Sequence, residues 1–274
     1  MIGSVYALIA LGMTLVFSTS RLMNFAHGHF MAIAMYLSLS VYTLLKLDPY
    51  ISILVTVPVL LALGVIFFRF IVIRVAHLHT LIAAQVTLAA IWIIEGTLSM
   101  VYGPDVHTVP SFVGASRVHF GPLTVMTPHL VAFLAAVAMG IALFWLLQRT
   151  GFGRSVRAVV QNRDAAELMG IRVERIQILV FGIGIGLLGL IGPLVTPIMP
   201  ATPYIGLKTT LFAFMIMVFG GIGNLLGTVL SGLILGLIEA LALFFFSGSI
   251  AAVVPFVAFI VLLVLRPRGI LGEP

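Results

Sequence analysis

GFGRSVRAVVQNRDAAELMGIRVERI, Gly151 to Ile176, is a polar island in a chain that is otherwise close to continuous hydrocarbon. The 274 residues include only 14 basic and 8 acidic side chains. Nine of these charges lie between Arg149 and Arg175. A segment this polar has to sit in water, and the apolar runs on either side have to leave it. The composition says where they go: 62% hydrophobic and 8% charged, with a mean hydropathy of +1.27. Soluble domains carry about a quarter charged residues, and a water-soluble fold of this length has no means of hiding so much apolar surface. The chain therefore reads as an all-α, polytopic membrane bundle.

A membrane crossing takes about 20 apolar residues at a rise of about 1.5 Å each. Nine windows qualify as candidate spans: 2–18, 28–46, 51–73, 80–101, 128–148, 177–198, 207–222, 225–246 and 250–265. The seventh is short enough to be re-entrant, so the expectation is eight or nine spans. MIGSVYALIALGMTLVF has no basic n-region and no small-residue cleavage site, and reads as a retained first span. Residues 102–127 form the longest segment opposite the island, and their Gly, Pro and β-branched content predicts a loop or a small hairpin. No second domain is visible, so 1–274 reads as one transmembrane unit.

Orientation follows from the basic residues. With the gaps at 19–27, 69–79 and 149–176 and the tail from 266 on the cytoplasmic side, that side holds eleven Lys and Arg, and the other keeps Lys46, Arg117 and Lys208. The bias puts the N-terminus outside and the C-terminus inside. The net charge of +6 does not indicate nucleic acid, because the arginines occupy short gaps between spans and form no aromatic-interleaved basic face. Cysteine is absent, which excludes disulfides and thiolate metal sites.

Within the island, Gly151 and Gly153 are expected to end the preceding helix. Arg154 and Arg157 share one side of a two-turn helix. Asn162 is placed to cap a second short helix, with Asp164 in its first turn, Ala165, Ala166, Leu168 and Met169 continuing it, and Gly170 stopping it. A bare connector needs fewer residues, so the expectation is a small docking knob.

Here a resemblance enters. DAAELMG at 164–170 resembles the EAA-x-x-x-G coupling loop of ABC importer permeases, with Asp in place of Glu. Gly153-Arg154-x-x-Arg157-Ala158 followed by Asp164 to Ile171 resembles the LivH-type branched-chain amino acid permeases. So do YALIALGMTLVFS at 6–18, NFAHGHF at 24–30, FGGIGNLLGTVLSGLILGLIEA at 219–240 and RPRGILG at 266–272. The resemblance implies the membrane half of an ATP-driven importer in a bacterial inner membrane. It implies as partners two cytoplasmic ATPase subunits, a second related permease and an extracytoplasmic substrate-binding protein. It also implies that Gly153, Arg154, Arg157, Ala158, Asp164, Ala165, Ala166, Leu168, Gly170 and Ile171 couple the chain to the ATPases. Three departures stand out: His29 occupies a position where the family has Glu, the segment before the first span is short, and the Ile-x-Leu-Pro end of the general importer loop is missing.

The sequence agrees with that division of labour. It has no G-x-x-x-x-G-K-[ST] loop, and its only lysines are Lys46 and Lys208, so ATP and Mg²⁺ chemistry would belong to partner subunits. Gly184-x-Gly186-x-x-Gly189 matches a dinucleotide fingerprint by letter, but no strand precedes it and no acid follows about 20 residues on. Gly182, Gly186 and Gly189 instead share a helical face, and Gly223, Gly227 and Ser231 are expected to share another. Small residues at that spacing let membrane helices approach closely. His27/His29 and His77/His79 are i,i+2 pairs, which do not converge on a metal. No cofactor and no catalytic constellation is expected.

Two acids lie within spans, Glu95 and Glu239. A charge at that depth costs about 2.5–3.5 kcal/mol or more, so each is expected to face a cavity or a partner. Together with Asn24 and His27, at the break between the first two spans, they are the candidate lining of the translocation path; the other reading has Asn24 capping the helix end and the two acids near the outer interface, hydrated or bonded to a neighbouring helix. The alternatives are an ion-gradient-driven secondary transporter using Glu95 and Glu239, or an ABC permease for amides or urea.

Overall fold

The computed structural model describes residues 1–76, 80–112, 117–120 and 123–272. The expectation for His77 and His79 lies outside these residues. The helices are α1 (Ile2–Ser20), α2 (His27–Leu45), α3 (Ile53–Phe67), α4 (Ile73–Ala76), α5 (Thr80–Tyr102), α6 (Thr127–Arg149), α7 (Gly151–Gln161), α8 (Arg163–Leu168), α9 (Val173–Val195), α10 (Ile205–Gly220), α11 (Leu225–Phe245) and α12 (Gly248–Leu265). A single π-helical turn, Phe68–Val72, joins α3 to α4. Between α5 and α6, β1 (Arg117–Phe120) and β2 (Leu123–Met126) pair antiparallel as a small hairpin. Among the described residues seven helical stretches are long and apolar enough to cross a membrane, and α10 and Ile250–Leu265 of α12 are shorter apolar helices. The molecule is an all-α, multi-pass membrane bundle.

α1 runs through the middle of the bundle, buried on nearly every side. Its small residues explain this. A Cβ on Gly3 would lie 2.8 Å from the Gly232 carbonyl of α11, and one on Gly12 would lie 2.8 Å from the Gly184 carbonyl of α9. With little hydrophobic drive between helices in lipid, such close backbone approach supplies the packing. The hydroxyls of α1 are satisfied within the helix and across it. Thr14 donates to the Ala10 carbonyl and lies 2.9 Å from Thr228 Oγ1 of α11, and Ser18 donates to the Thr14 carbonyl. α9, the other deeply buried span, packs along α3 and α1. Gly182, Gly186 and Gly189 face Val65, Leu61 and Thr56 of α3, Thr56 donates to the Gly189 carbonyl at 2.6 Å, and Gln177 Nε2 donates to the Thr19 carbonyl at 3.0 Å.

The structure corrects three sequence expectations. Residues 19–27 are not a surface connector at one end of the bundle. α1 continues to Ser20, and the chain then returns without helix beside it, so that α2 begins in the interior. His27 Nε2 donates to the carbonyl of Ile9, close to the middle of α1. Next, Gly223 does not share a helical face with Gly227 and Ser231. It lies in the turn before α11 with φ +86°, because Asn224 caps that helix by accepting from the Gly227 N–H. Gly227 backs onto Gly220 of α10, and Ser231 is buried in α11. Finally, Gly151 and Gly153 do not end α6: they open α7, as described below.

Candidate functional site

Two regions hold the residues that the sequence singled out. The first is the start of α2. Non-helical backbone inside a membrane bundle needs partners for its N–H and C=O groups, and residues 21–26 obtain them from side chains. The Phe25 N–H donates to Thr87 Oγ1 of α5 at 3.2 Å. Thr210 Oγ1 of α10 donates to the Phe25 carbonyl at 3.1 Å and accepts from the Gly28 N–H at 2.8 Å. Asn24 does not cap α2 directly. Its Oδ1 accepts from the Ala26 N–H at 3.1 Å, closing the turn that aims the chain into the helix. Ala26, His27 and His29 are fully buried.

His29, in the first turn of α2, packs its ring where a Cβ on Gly206 would fall, and its Nε2 lies 2.8 Å from Glu95 Oε1. Among the described residues the polar contact of the Glu95 side chain is with this imidazole, and the carboxylate keeps 13% exposure. Of Asn24, His27, His29 and Glu95, the structure brings only His29 and Glu95 into contact; His27 turns to the Ile9 carbonyl of α1 and Asn24 to the Ala26 N–H. Glu239 stands apart from them, on α11, where Tyr6 Oη donates to its Oε1 at 3.4 Å. His29 is the member that sequence reasoning did not place: it lies 66 positions from Glu95, and no local periodicity links the two.

The second region is the α7–α8 platform. Thr150 caps α7 by accepting from the Gly153 N–H at 3.1 Å, so Gly151 and Gly153 start a helix that turns sharply from α6. Gly153 is buried against the Leu146 and Leu147 carbonyls, too close for any Cβ. Arg157 donates to the Leu147 carbonyl, so its charge covers the C-terminal end of α6, while Arg154 is exposed. Asn162 caps α8 by accepting from the Ala165 N–H at 3.0 Å, with Asp164 exposed in the first turn. The end of α8 is a Schellman motif: the Gly170 N–H donates to the Glu167 carbonyl at 2.9 Å and the Ile171 N–H to the Ala166 carbonyl at 3.0 Å. Gly170 has φ +83°, a conformation glycine adopts without strain.

A small separate core holds the platform together. Val159 of α7, Ala166 of α8 and Val173 of α9 are buried against one another, with Ala158 and Ile171 beside them. Ala166 therefore faces inward. The outward tip consists of Ala165 together with Leu168 and Met169, the last two 89% and 83% exposed. Arg163 and Glu167 form an exposed pair at 3.6 Å on the same short helix. Beside the platform a recess of about 910 Å³ opens between α1, α6, α7, the α10–α11 turn and the tail, with Arg21, Gln148, Arg157 and Asn224 on its wall. The tail is clamped there by bonds from the Ile270 N–H to the Phe219 carbonyl and from Asn224 Nδ2 to the Leu271 carbonyl, both 2.9 Å. Among the described residues no group of three His, Asp or Glu side chains is placed to hold a metal ion.

Comparison with known proteins gives a full-length match. The profile of a family described as branched-chain amino acid transport system, permease component, matches residues 1–265. The high-affinity branched-chain amino acid transport system permease protein LivH of Escherichia coli K12 is 32% identical over 296 aligned positions, covering 100% of this chain and 93% of the relative. BraD of Pseudomonas aeruginosa, a permease protein of the same kind of system, is 29% identical, with 100% of this chain and 93% of the relative covered. The ribose import permease RbsC of Haemophilus influenzae is 26% identical over 86% of this chain and 73% of the relative. No solved structure matches.

Proposed function

Since the chain belongs to the permease-component family of branched-chain amino acid transport systems, we propose that it is the membrane-spanning subunit of an ATP-driven importer for branched-chain or other hydrophobic amino acids. The observation that carries the reading is a family match along nearly the whole chain, combined with a compact, solvent-exposed platform joined directly to α6 and α9. Two cytoplasmic ATPases would grip the platform through its tip, Ala165, Leu168 and Met169, with Arg154 and Asp164 at the flanks. Gly153, Arg157, Ala158, Ala166, Gly170 and Ile171 would act from within, by keeping α7 and α8 rigid. A rigid knob passes displacement on to α6 and α9, where a soft loop would absorb it. A second related permease would complete the pathway, and a binding protein would deliver substrate on the far side. The platform end would then be cytoplasmic, with the N-terminus outside and the C-terminus inside, as the arginine bias also indicates. A conformational cycle needs two discrete packings, and the bare glycine contacts of α1 and α9 are the natural sliding surfaces. Asn24, His27 and Glu95 would line the path at the buried start of α2.

The test is uptake and substrate-stimulated ATPase activity in proteoliposomes of the assembled transporter carrying Leu168→Asp and Met169→Asp. Both changes sit on solvent-exposed positions and leave the small core intact. Uptake and stimulation are expected to fall together while the protein still inserts. Undiminished uptake with both changes, or uptake driven by an ion gradient without nucleotide hydrolysis, would overturn the reading.

A further inference from the structure

Two openings lie along one seam of the bundle. A slot of about 290 Å³ runs between α1, α6 and α11. Ser4 and Ala7 of α1 lie on its floor, with Val137 and Ile141 of α6 and Leu226 and Leu233 of α11 as its walls. Small residues keep it open: a Cβ on Gly140, on the α6 wall, would meet nothing within 4 Å. The recess of about 910 Å³ beside the platform continues the slot. Leu11 of the slot and Leu15 of the recess are one turn apart on α1, Phe144 and Gln148 are one turn apart on α6, and Leu226 and Leu225 adjoin on α11. The two openings therefore form one groove. It is apolar in the slot and polar in the recess, at the level where α1 and α6 stop and α11 starts.

Charge and length narrow down what fits. Arg21 and Arg157 line the recess with Gln148 and Gln161, and among the described residues no acidic side chain does. The ion pairs among the described residues are His29–Glu95 and Arg163–Glu167, so neither arginine is neutralised there. Arg157 gives an N–H to the Leu147 carbonyl, and a guanidinium has five. The remaining donors suit a phosphate group, which such a fork binds at two points. An ammonium group would find no acid among these residues, which argues against a zwitterionic headgroup. The slot covers residues 4–11, 136–144 and 226–233. At a rise of about 1.5 Å per residue this is about 12 Å, against about 15 Å for one leaflet of a hydrocarbon core about 30 Å thick. An apolar cavity of about 150 Å³ takes a six-carbon guest, so the slot has room for about a dozen carbons of one acyl chain. A helix about 10 Å across and of the same length needs roughly three times that volume. We propose that the groove binds an anionic phospholipid of the leaflet on the platform side, with its phosphate at Arg21 and Arg157 and an acyl chain laid along α1. Within the bundle α6 packs on α1 and α9, while the slot holds it off α11. The lipid bridges that gap and steadies α6, the helix that carries the platform.

The test is thermal unfolding of the full chain, delipidated in detergent, with added dioleoyl phosphatidylglycerol, dioleoyl phosphatidylcholine or inorganic phosphate. Phosphatidylglycerol alone is expected to raise Tm markedly, by mass action on the folded state. Arg21→Gln, a change at an exposed side chain, is expected to weaken its apparent affinity by about fivefold, the weight of one arginine facing an anionic headgroup. Gly140→Leu fills the slot where a Cβ meets nothing. It is expected to lose the phosphatidylglycerol effect while melting close to the parent chain without lipid. If Gly140→Leu does not fold, the headgroup comparison and Arg21→Gln still decide. Equal stabilisation by the two lipids, a full effect from inorganic phosphate, or a phosphatidylglycerol effect that survives the substitutions would overturn the proposal. In the assembled transporter, Gly140→Cys places a single thiol in a chain that has none, and its crosslinking to a second permease would assign the slot to that subunit instead of a lipid.

Discussion

His29 Nε2 and Glu95 Oε1 lie 2.8 Å apart and tie α2 to α5 inside the bundle. α5 turns a broad apolar flank outward, with Trp92, Ile93 and Met100 all well exposed, so this polar contact is a specific anchor on an otherwise greasy helix. Removing one partner strands the other in a region of low polarity, whereas removing both leaves only apolar surface. His29→Leu is therefore expected to lower stability in detergent by about 2–3 kcal/mol. The double variant His29→Leu, Glu95→Leu is expected to regain most of that loss, and Glu95→Gln to lose less than His29→Leu. Unfolding curves for the three variants check the ordering, and additive losses in the double variant would show that the contact contributes nothing.

Thr87 holds the returning segment from α5, and one hydroxyl, that of Thr210, holds it from α10. Thr210 Oγ1 accepts from the Gly28 N–H and donates to the Phe25 carbonyl, serving two backbone groups on either side of the point where α2 begins. Thr210→Val keeps the shape and removes both bonds. Each unmade bond at a buried site costs about 1–3 kcal/mol, so a loss of about 2 kcal/mol is expected, with faster hydrogen exchange confined to residues 24–28. Thr210→Ser, which keeps the oxygen, is expected to stay much closer to the parent chain.

Such a segment also marks where sequence reasoning stops. The polar island, the apolar spans and the cap at Asn162 follow from local chemistry: hydropathy sets the spans, and a short polar side chain before an apolar run sets a helix start. The end of α8 at Gly170 follows in the same way from glycine's access to positive φ. The depth at which α2 begins does not follow, because SRLMNFAHG has the composition of an ordinary polar connector and is held inside by Thr87 and Thr210, far away in sequence. The same holds for His29 with Glu95. Gly223 matches the four-residue spacing of Gly227 and Ser231 by letter but lies before the Asn224 cap, where the helical period does not extend. The glycine faces of α9 were legible as faces, but that α3 covers one and α1 sits against Gly184 emerges only from three-dimensional packing.

Asp48 anchors the loop opposite the platform. Its Oδ2 accepts from Ser111 Oγ and from the Phe112 N–H, both at 2.8 Å, and its Oδ1 accepts from the Tyr50 N–H at 3.0 Å. A buried carboxylate taking three bonds holds the α2–α3 turn and the start of the hairpin loop together. Hydrogen bonds to a charged group contribute about 1.5–3 kcal/mol each, and they are not additive here, so Asp48→Ala is expected to lose about 2–4 kcal/mol in all. Limited proteolysis is expected to cut near residue 112 in the variant and to spare the parent chain. Equal resistance in both would mean that the loop is held by other contacts.

Gly170 offers a way to separate rigidity of the platform from its surface chemistry. Its φ of +83° lets the Gly170 and Ile171 N–H groups reach back to the Glu167 and Ala166 carbonyls. A side chain in this conformation costs roughly 1–2 kcal/mol, and a Cβ at this position meets nothing within 4 Å, so the penalty of Gly170→Ala is conformational and owes nothing to crowding. Asn tolerates the left-handed region better than Ala does. If α7 and α8 transmit force as a rigid knob, Gly170→Ala is expected to lower the uptake obtained per ATP hydrolysed while ATPase binding persists, with Gly170→Asn falling between Ala and the parent chain. If only the exposed surface mattered, the larger and more polar Asn would be the more harmful of the two. The order of the two substitutions, measured as uptake against ATP hydrolysed in the same proteoliposomes, decides between a lever and a sticky patch.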